Sequence, residues 1–427
     1  MTAVREHDDA ALATVRARVE RVLSDEEVDL ASERGRARTG DVIAEALDTY
    51  AAEALAKSEG AFPDQLRDSI ARELHHDLIG LGAIAERMLG DDEAQEWMVN
   101  GPTRIFKDCG DRIERVPNIA FDSDAQVRAF LDRLLEQVEG KRLDRLTPRV
   151  EARLPDGSRL TAVIPPIASQ GHAICSIRRF RLVATTLAEL VALDFLSSEA
   201  ADFLGACVRA GKNIVIAGRV SSGKTTLLNA LGAAVPGTER VVVCESSAEL
   251  QLPETLPNCV GFEARPGSVD GLSAITLEDL VADSLRMNPD RIIVGECRGP
   301  ETMAMLWAFA TGHAGMTSIH GESAAHALRN LVRFALTSGA RIDTGDALDW
   351  LREIDIVIHC DRPRSYDSGE RRFLPRRIDE IAEVAGIEGS RMTLNPLFDG
   401  AGERLRWLGT SPAFMAKLAA TGYEAPR

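Results

Sequence analysis

A phosphate-binding motif in the middle of the chain limits what this sequence can fold into more than any other feature. Residues 218–225 read Gly-Arg-Val-Ser-Ser-Gly-Lys-Thr and fit the pattern GxxxxGK[ST] without a mismatch. The apolar run 213–217 before it predicts a buried strand, and residues 226–231 predict the first turns of a helix. Strand, glycine loop and helix therefore come in the order that phosphate binding requires.

The chemistry of this loop is that of an anion site. Glycines let consecutive backbone N–H groups point at phosphate oxygens, and the helix N-terminus adds the positive end of its dipole. We expect Lys224 to reach the β- and γ-phosphates of a nucleoside triphosphate, and the hydroxyl of Thr225 to bind Mg²⁺. The predicted nucleotide contacts are Gly218, Ser221, Ser222, Gly223, Lys224, Thr225 and Thr226.

Predicted strands alternate with predicted helices around the motif, which indicates a parallel sheet covered by helices. In such a sheet the ligand lies beyond the carboxyl ends of the strands. The predicted strands are 213–217, 240–244, 291–295, 315–319 and 354–358, and the tail from about 370 predicts a hairpin with a closing helix at 412–421.

The chain of 427 residues is long enough for two or three domains. Helical spacing without strand signals predicts a helical N-terminal extension over 1–95, and turn signals with short strands predict a smaller α+β N-terminal domain over 96–180. A linker at 181–186 leads to an α/β domain of the P-loop NTPase type over 187–427. The extension is equally consistent with a docking arm and with a solvated helical appendage.

Composition excludes several classes of protein. The net charge of −16 argues against general affinity for nucleic acid, and no apolar run approaches the roughly 18 residues of a membrane span. The seven cysteines are scattered without a CxxC pair, which supports neither a disulfide framework nor a zinc site. We therefore expect a cytoplasmic protein that contacts membranes only through partners.

Three polar residues follow predicted strands on the side of the sheet where the motif lies. Glu245 and Glu296 each end a strand, and His320 ends another. Hydrolysis needs an oriented water and a bound Mg²⁺, so we assign Glu296 to the water and Glu245 to the metal or its water shell, with Glu249 as the next candidate. His320 is expected to sense the γ-phosphate. Gly295 stands where most P-loop ATPases have an Asp.

At this point the sequence resembles a known family, the type II/IV secretion ATPases, and within it the CpaF/TadA branch of tight-adherence (Flp) pilus assembly. The likeness covers roughly residues 96–365 in unbroken order. The segments that carry it, besides the phosphate-binding motif, are 98–102, 152–159, 163–166, 176–180, 248–252 and 285–299.

The resemblance implies a hexameric ring of subunits, each with an N-terminal α/β domain and a RecA-like ATPase domain, that uses ATP and Mg²⁺ to drive a polytopic inner-membrane platform protein. It places Glu245 in an acidic box, Glu296 in the Walker B motif, and His313 with His320 in a histidine box. It also makes arginines of the N-terminal domain candidates to neutralise γ-phosphate charge. These are Arg178, then Arg153 and Arg159, with Arg142.

Two departures from the family pattern stand out. Ser246 replaces the second acid of the acidic box, and Gly321-Glu322 replaces the usual Ala-Asn after the histidine. Slower turnover is the expected consequence. Two alternatives to a pilus or secretion motor remain open at this point: a motor for conjugative DNA transfer, and a nucleotide-gated scaffold with little turnover.

Overall fold

The computed structural model describes residues 2–26, 28, 33–56, 62–78, 83–138, 140–179, 184–265, 267, 273–367, 370–389, 391–400, 402 and 404–426. Within those ranges no helix is both long and apolar enough to cross a membrane. The chain divides into two units, Met1–Arg181 and Leu182–Arg427. Part of the predicted linker, residues 181–183, lies outside the described residues, and the three-part division predicted from sequence stays a prediction.

Four helices open the first unit. The first three pack around a small core of their own that includes Val15, Leu47 and Leu74, because apolar residues recur at helical spacing on each. The helices are α1 (Thr2–Asp25), α2 (Glu33–Ala56), α3 (Asp64–Leu78) and α4 (Ala83–Gly90).

The rest of the first unit is a six-stranded antiparallel sheet in the order β3-β2-β1-β6-β5-β4, with one helix. Burial alternates along the strands, so one face packs into a core with Trp97, Phe130 and Leu160 and the other stays open. The elements are β1 (Glu96–Asn100), β2 (Ile105–Asp108), β3 (Ile113–Arg115), α5 (Asp124–Glu136), β4 (Arg149–Arg153), β5 (Arg159–Val163) and β6 (Ile174–Arg178).

The second unit is built on a nine-stranded sheet in the order β17-β16-β15-β12-β7-β11-β10-β8-β9. The strands from β12 to β9 are parallel, and the last three along the chain add antiparallel pairs. The strands are β7 (Ile214–Gly218), β8 (Val241–Glu245), β9 (Cys259–Glu263), β10 (Arg291–Cys297), β11 (Ala314–His320), β12 (Ile356–Asp361), β15 (Arg377–Glu388), β16 (Arg391–Asp399) and β17 (Arg406–Trp407), with a separate hairpin of β13 (Arg364–Asp367) and β14 (Glu370–Phe373).

Helices cover both faces of this sheet. Alternate residues of β7 enter two different cores, Ile214 and Ile216 on one face and Val215 and Ala217 on the other. The helices are α6 (Leu187–Ala192), α7 (Ser198–Arg209), α8 (Lys224–Gly232), α9 (Leu252–Thr255), α10 (Leu277–Ser284), α11 (Glu301–Ala310), α12 (Ala324–Thr337), α13 (Thr344–Leu351) and α14 (Met415–Ala419). The predicted fold, a RecA-like α/β domain preceded by a smaller domain, is confirmed.

Candidate functional site

The phosphate-binding loop connects β7 to α8, which begins at Lys224. Gly223, just before the helix, has a φ of 99°, a conformation that favours glycine. A Cβ at Gly218 would lie 2.5 Å from the carbonyl oxygen of Cys360, and one at Gly223 would lie 2.8 Å from the ring of Phe195. Close packing therefore favours glycine at both positions, and the positive φ requires it at Gly223 as well.

Lys224 is 7% exposed, and its ammonium group lies inside the curl of the loop. Its Nζ donates to the carbonyl oxygens of Gly218 at 3.1 Å and Arg219 at 3.0 Å, and lies 3.4 Å from Nδ1 of His320. The loop thus holds the lysine and the strand-end histidine together, as the sequence predicted for a site around the motif.

Glu296 and His320 meet at the ends of the neighbouring strands β10 and β11. Nε2 of His320 lies 2.9 Å from Oε1 of Glu296, without the angle of a well-formed hydrogen bond, and Arg298 donates from Nε to Oε2 at 2.8 Å. Burial favours the neutral acid, but the contacts with His320 and Arg298 outweigh it and lower the pKa of Glu296 to about 2. The carboxylate is therefore charged, and is better suited to orienting a water than to holding its proton.

Glu245 ends β8 but faces the protein rather than the loop mouth. It is 5% exposed, and its Oε1 accepts from the backbone N–H groups of Glu249 at 2.9 Å and Leu250 at 3.1 Å. Burial raises the pKa of Glu245 to about 7, although those two hydrogen bonds oppose the shift. Its carboxylate organises the turn after β8, and its predicted role at the metal or in the metal's water shell stays a prediction.

The packing around Gly295 explains why the chain has no Asp directly before Glu296. A Cβ at position 295 would lie 2.9 Å from Cγ of Glu245 and 3.2 Å from its Oε1. The side chain of Glu245 thus occupies the space that an Asp on β10 would need. At this point of the sheet the carboxylate is that of Glu245, at the end of β8.

The acid beside Thr225 is Glu249, the second candidate from the sequence. The Thr225 hydroxyl donates to Oε2 of Glu249 at 3.4 Å. A hydroxyl and a carboxylate are the hard oxygen ligands that Mg²⁺ prefers, and Mg²⁺ in nucleotide sites takes its other ligands from phosphate and water. The described residues contain no cluster of three or more His, Cys, Asp or Glu side chains that could hold a metal.

The arginines of the first unit form a row. Cross-strand register places Arg153 opposite Arg159 and Arg159 opposite Arg178, on the open face of the antiparallel sheet. Arg142 is exposed in the loop between α5 and β4. Three cations side by side are an arrangement suited to a multiply charged anion.

The comparisons with known proteins place the chain in a family. The family model described as "Type II/IV secretion system protein" matches residues 81–353. The chain belongs to this family. A putative conjugal transfer protein of Mycobacterium tuberculosis is 34% identical over 334 residues, which cover 74% of this chain and 88% of the relative. The protein VirB11 of Agrobacterium fabrum is 27% identical over 300 residues, 63% of this chain and 85% of its own length.

Among solved structures, the Yersinia pseudotuberculosis ATPase DotB matches 72% of this chain and 79% of its own with a TM-score of 0.50 at 17% identity. This likeness supports the fold of the family.

The two histidines of the predicted histidine box lie at opposite ends of β11. His313 precedes β11 whereas His320 ends it, so the strand separates them, and Nδ1 of His313 lies 3.2 Å from the Thr311 hydroxyl and 3.3 Å from the Ala308 carbonyl oxygen. His313 therefore closes the end of α11 and lies away from the loop. Of these two histidines, it is His320 that lies beside Lys224.

Sequence reasoning missed two arginines. Arg298 had a local signal, since it stands two residues after Glu296 on an extended segment, where alternate side chains share a side. Arg376 had none, because it lies 155 residues from the loop residue Ser221 that it contacts.

Proposed function

We propose that this chain is an ATP-hydrolysing motor that powers assembly of a pilus or secretion of a substrate. The observation that carries the proposal is the convergence of Glu296, His320 and Lys224 at one edge of the parallel sheet, beside the phosphate-binding loop. A charged carboxylate beside a loop that holds phosphates is the arrangement that in-line attack of water on a γ-phosphate needs.

Each residue has a distinct task in this proposal. The loop N–H groups and Lys224 hold the phosphates, and Glu296 orients the attacking water while Arg298 fixes the carboxylate. His320 bridges Glu296 and Lys224 and so is placed to respond when a γ-phosphate draws Lys224 away from the loop carbonyls. Thr225 and Glu249 would hold Mg²⁺, which supplies charge neutralisation across the phosphate oxygens when bound.

Family membership supports the larger assembly. We assign the chain to the CpaF/TadA branch, acting as a hexamer at the inner face of the cell membrane on a polytopic platform protein, with membrane contact only through partners. Arg178, Arg153 and Arg159 then supply cations to nucleotide, as arginine fingers do. The net charge of −16 favours a protein partner over nucleic acid.

A second candidate is a motor for conjugative DNA transfer, which the likeness to the conjugal transfer protein of Mycobacterium tuberculosis favours. The two roles differ in one measurable respect. Phosphate release that rises on addition of single-stranded or duplex DNA would favour DNA transfer, and release that is indifferent to DNA favours the pilus or secretion role.

The test of the proposed activity is Mg²⁺-dependent phosphate release by the full chain. Glu296→Gln should lower the rate by at least about a hundredfold while ADP still binds, and Lys224→Ala should abolish ADP binding itself. Glu254→Gln, at an exposed position of α9, is the matched control and should leave the rate unchanged. A wild type that binds nucleotide without turnover would support the scaffold alternative, and equal rates for wild type and Glu296→Gln would remove Glu296 from catalysis.

A further inference from the structure

The phosphate-binding loop contains a residue in an unfavourable backbone conformation. Ser221 has a φ of 60°, in the left-handed region that residues with a Cβ rarely adopt. The strain is specific to this position, because Gly223 in the same loop adopts its positive φ without a Cβ. Something outside the loop must therefore hold Ser221 in place.

The contact that holds it comes from the far end of the chain. Nε of Arg376 donates to the carbonyl oxygen of Ser221 at 2.8 Å, on a half-buried guanidinium. Since the peptide unit is planar, fixing the carbonyl of Ser221 also fixes the direction of the next N–H group, that of Ser222. Ser222 is one of the predicted phosphate contacts, and its N–H donates to the carbonyl oxygen of Arg219 at 3.3 Å.

Arg376 is itself held in register with the sheet. It stands directly before β15, which pairs with β12, and β12 pairs with the loop-bearing strand β7. Ile378 donates from its backbone N–H to the carbonyl oxygen of Phe195 at 2.8 Å, and Phe195 is the side chain packed against Gly223. Arg376 and Phe195 thus both contact the loop, Arg376 at Ser221 and Phe195 at Gly223.

We infer that Arg376 is a positioning residue for nucleotide binding: its hydrogen bond keeps Ser221 left-handed and so holds the loop in its curled conformation before nucleotide arrives. The inference rests on the proposed nucleotide site at this loop. It assigns to the C-terminal strands a function in shaping that site. Arg376 acts through Ser221, so the strength of nucleotide binding depends on it more than the hydrolytic step does.

The substitution Ser221→Gly distinguishes this positioning role of Arg376 from a general effect of its positive charge. Glycine adopts a positive φ without cost, so Ser221→Gly makes the hydrogen bond from Arg376 largely dispensable. If Arg376 acts only by adding positive potential near the phosphates, the residue at 221 makes no difference. A double-mutant cycle over positions 221 and 376 therefore measures the mechanism directly.

The experiment compares six forms of the full chain by the Kd of ADP, by KM and kcat for phosphate release, and by the midpoint of thermal unfolding. They are the wild type, Arg376→Ala, Arg376→Lys, Ser221→Gly, the double variant Ser221→Gly/Arg376→Ala, and Arg377→Ala. Arg377 is the matched control, because its Nη1 donates to the carbonyl oxygen of Gly402 at 3.2 Å and it contacts Asp379 rather than the loop.

We expect Arg376→Ala to weaken ADP binding by about tenfold, the scale of one left-handed non-glycine residue, and to raise KM more than it lowers kcat. Arg376→Lys should recover little, since a flexible ammonium does not reproduce the planar guanidinium. In the Ser221→Gly background the loss should shrink to about threefold or less. Arg377→Ala should bind ADP as the wild type does.

An equal loss from Arg376→Ala with serine and with glycine at 221 would overturn the inference, as would wild-type affinity in Arg376→Ala. Should Arg376→Ala fail to fold, Arg376→Lys in the two backgrounds provides the same cycle, judged by the same criterion. A wild type that does not bind ADP would instead overturn the proposed function, which keeps the two failures apart.

Discussion

The two sheets of the molecule hold their polar side chains in different places. In the parallel sheet, β7 and β8 are buried at every position, and the three polar residues predicted for the site, Glu245, Glu296 and His320, lie at strand ends. In the antiparallel sheet burial alternates, and the open face carries charged residues along β4 and at the paired ends of β5 and β6. The difference follows from what covers each sheet, because helices on both faces leave only the edge for ligands.

The strand-end groups are themselves of two kinds. The pKa of Glu296 is lowered to about 2 by its neighbours, whereas burial raises the pKa of Glu245 to about 7. The acids on the neighbouring strands β10 and β8 are therefore suited to opposite tasks. Glu296 is exposed to ligand and charged, whereas Glu245 is buried and hydrogen-bonded to backbone N–H groups. Position at a strand end alone does not make a residue catalytic.

The largest expected effect tests whether the arginines on the open face of the antiparallel sheet take part in hydrolysis at the parallel sheet. Single substitutions Arg178→Ala, Arg159→Ala and Arg153→Ala should each lower phosphate release, with the strongest reaching at least about a hundredfold, because cations on a transferring phosphoryl group act on the transition state. Arg149→Ala, at the other end of β4 and paired with Glu151 at 3.0 Å, is the control. Unchanged rates in all three variants would show that these arginines take no part in hydrolysis.

A smaller effect sharpens the contrast between the two acids. Because the pKa of Glu245 is raised on folding, the native state binds the extra proton, and the free energy of unfolding falls as pH rises from about 4.5 to about 7. The contribution amounts to up to about 3 kcal/mol. Thermal or urea unfolding of wild type and Glu245→Gln across that window should show the slope in the wild type and a flatter profile in the variant.

The pKa of Glu296 is lowered, so its contribution is present above its unfolded value and is lost only as pH falls towards about 2. Of these two acids, it is therefore Glu245 that contributes to the slope between pH 4.5 and 7. Parallel profiles for wild type and Glu245→Gln there would show that the buried carboxylate does not titrate as its burial implies.

Gly295→Ala tests how tightly the two strand ends are packed. The added Cβ would lie 2.9 Å from Cγ of Glu245, and overpacking of this kind costs about 1–3 kcal/mol. Urea unfolding should show that loss, while Gly299→Ala, whose Cβ would meet only Glu301 Oε2 at 3.5 Å, should lose less. Equal stability of the two variants would mean that β8 and β10 can move apart.

The smallest effect is expected for the ion pair between Arg219 of the loop and Glu322, one of the residues that depart from the family pattern. Arg219 and Glu322 form an ion pair of 3.0 Å with side chains 49% and 65% exposed. Exposed pairs contribute less than about 1 kcal/mol, so Glu322→Ala should barely shift the unfolding midpoint at moderate salt. A larger shift that disappears at high salt would show that the pair stabilises the loop.

The sequence by itself determined the features in which neighbouring residues dictate local structure. The motif at 218–225 predicted strand, loop and helix correctly, because glycine geometry and the helix dipole act over a few residues. Apolar runs placed five of the six parallel strands to within three residues and missed β9. Those strands then determined the edge of the sheet where Glu296 and His320 lie.

Only the tertiary structure decided which atoms meet at that edge. Glu245 turns inward onto backbone N–H groups, and a strand pattern does not show on which side an acid finds its hydrogen-bond donors. Arg376 reaches Ser221 through the pairing of β15, β12 and β7, a contact across 155 residues. Local propensity is encoded in short segments, whereas the packing that selects hydrogen-bond partners depends on the whole sheet at once.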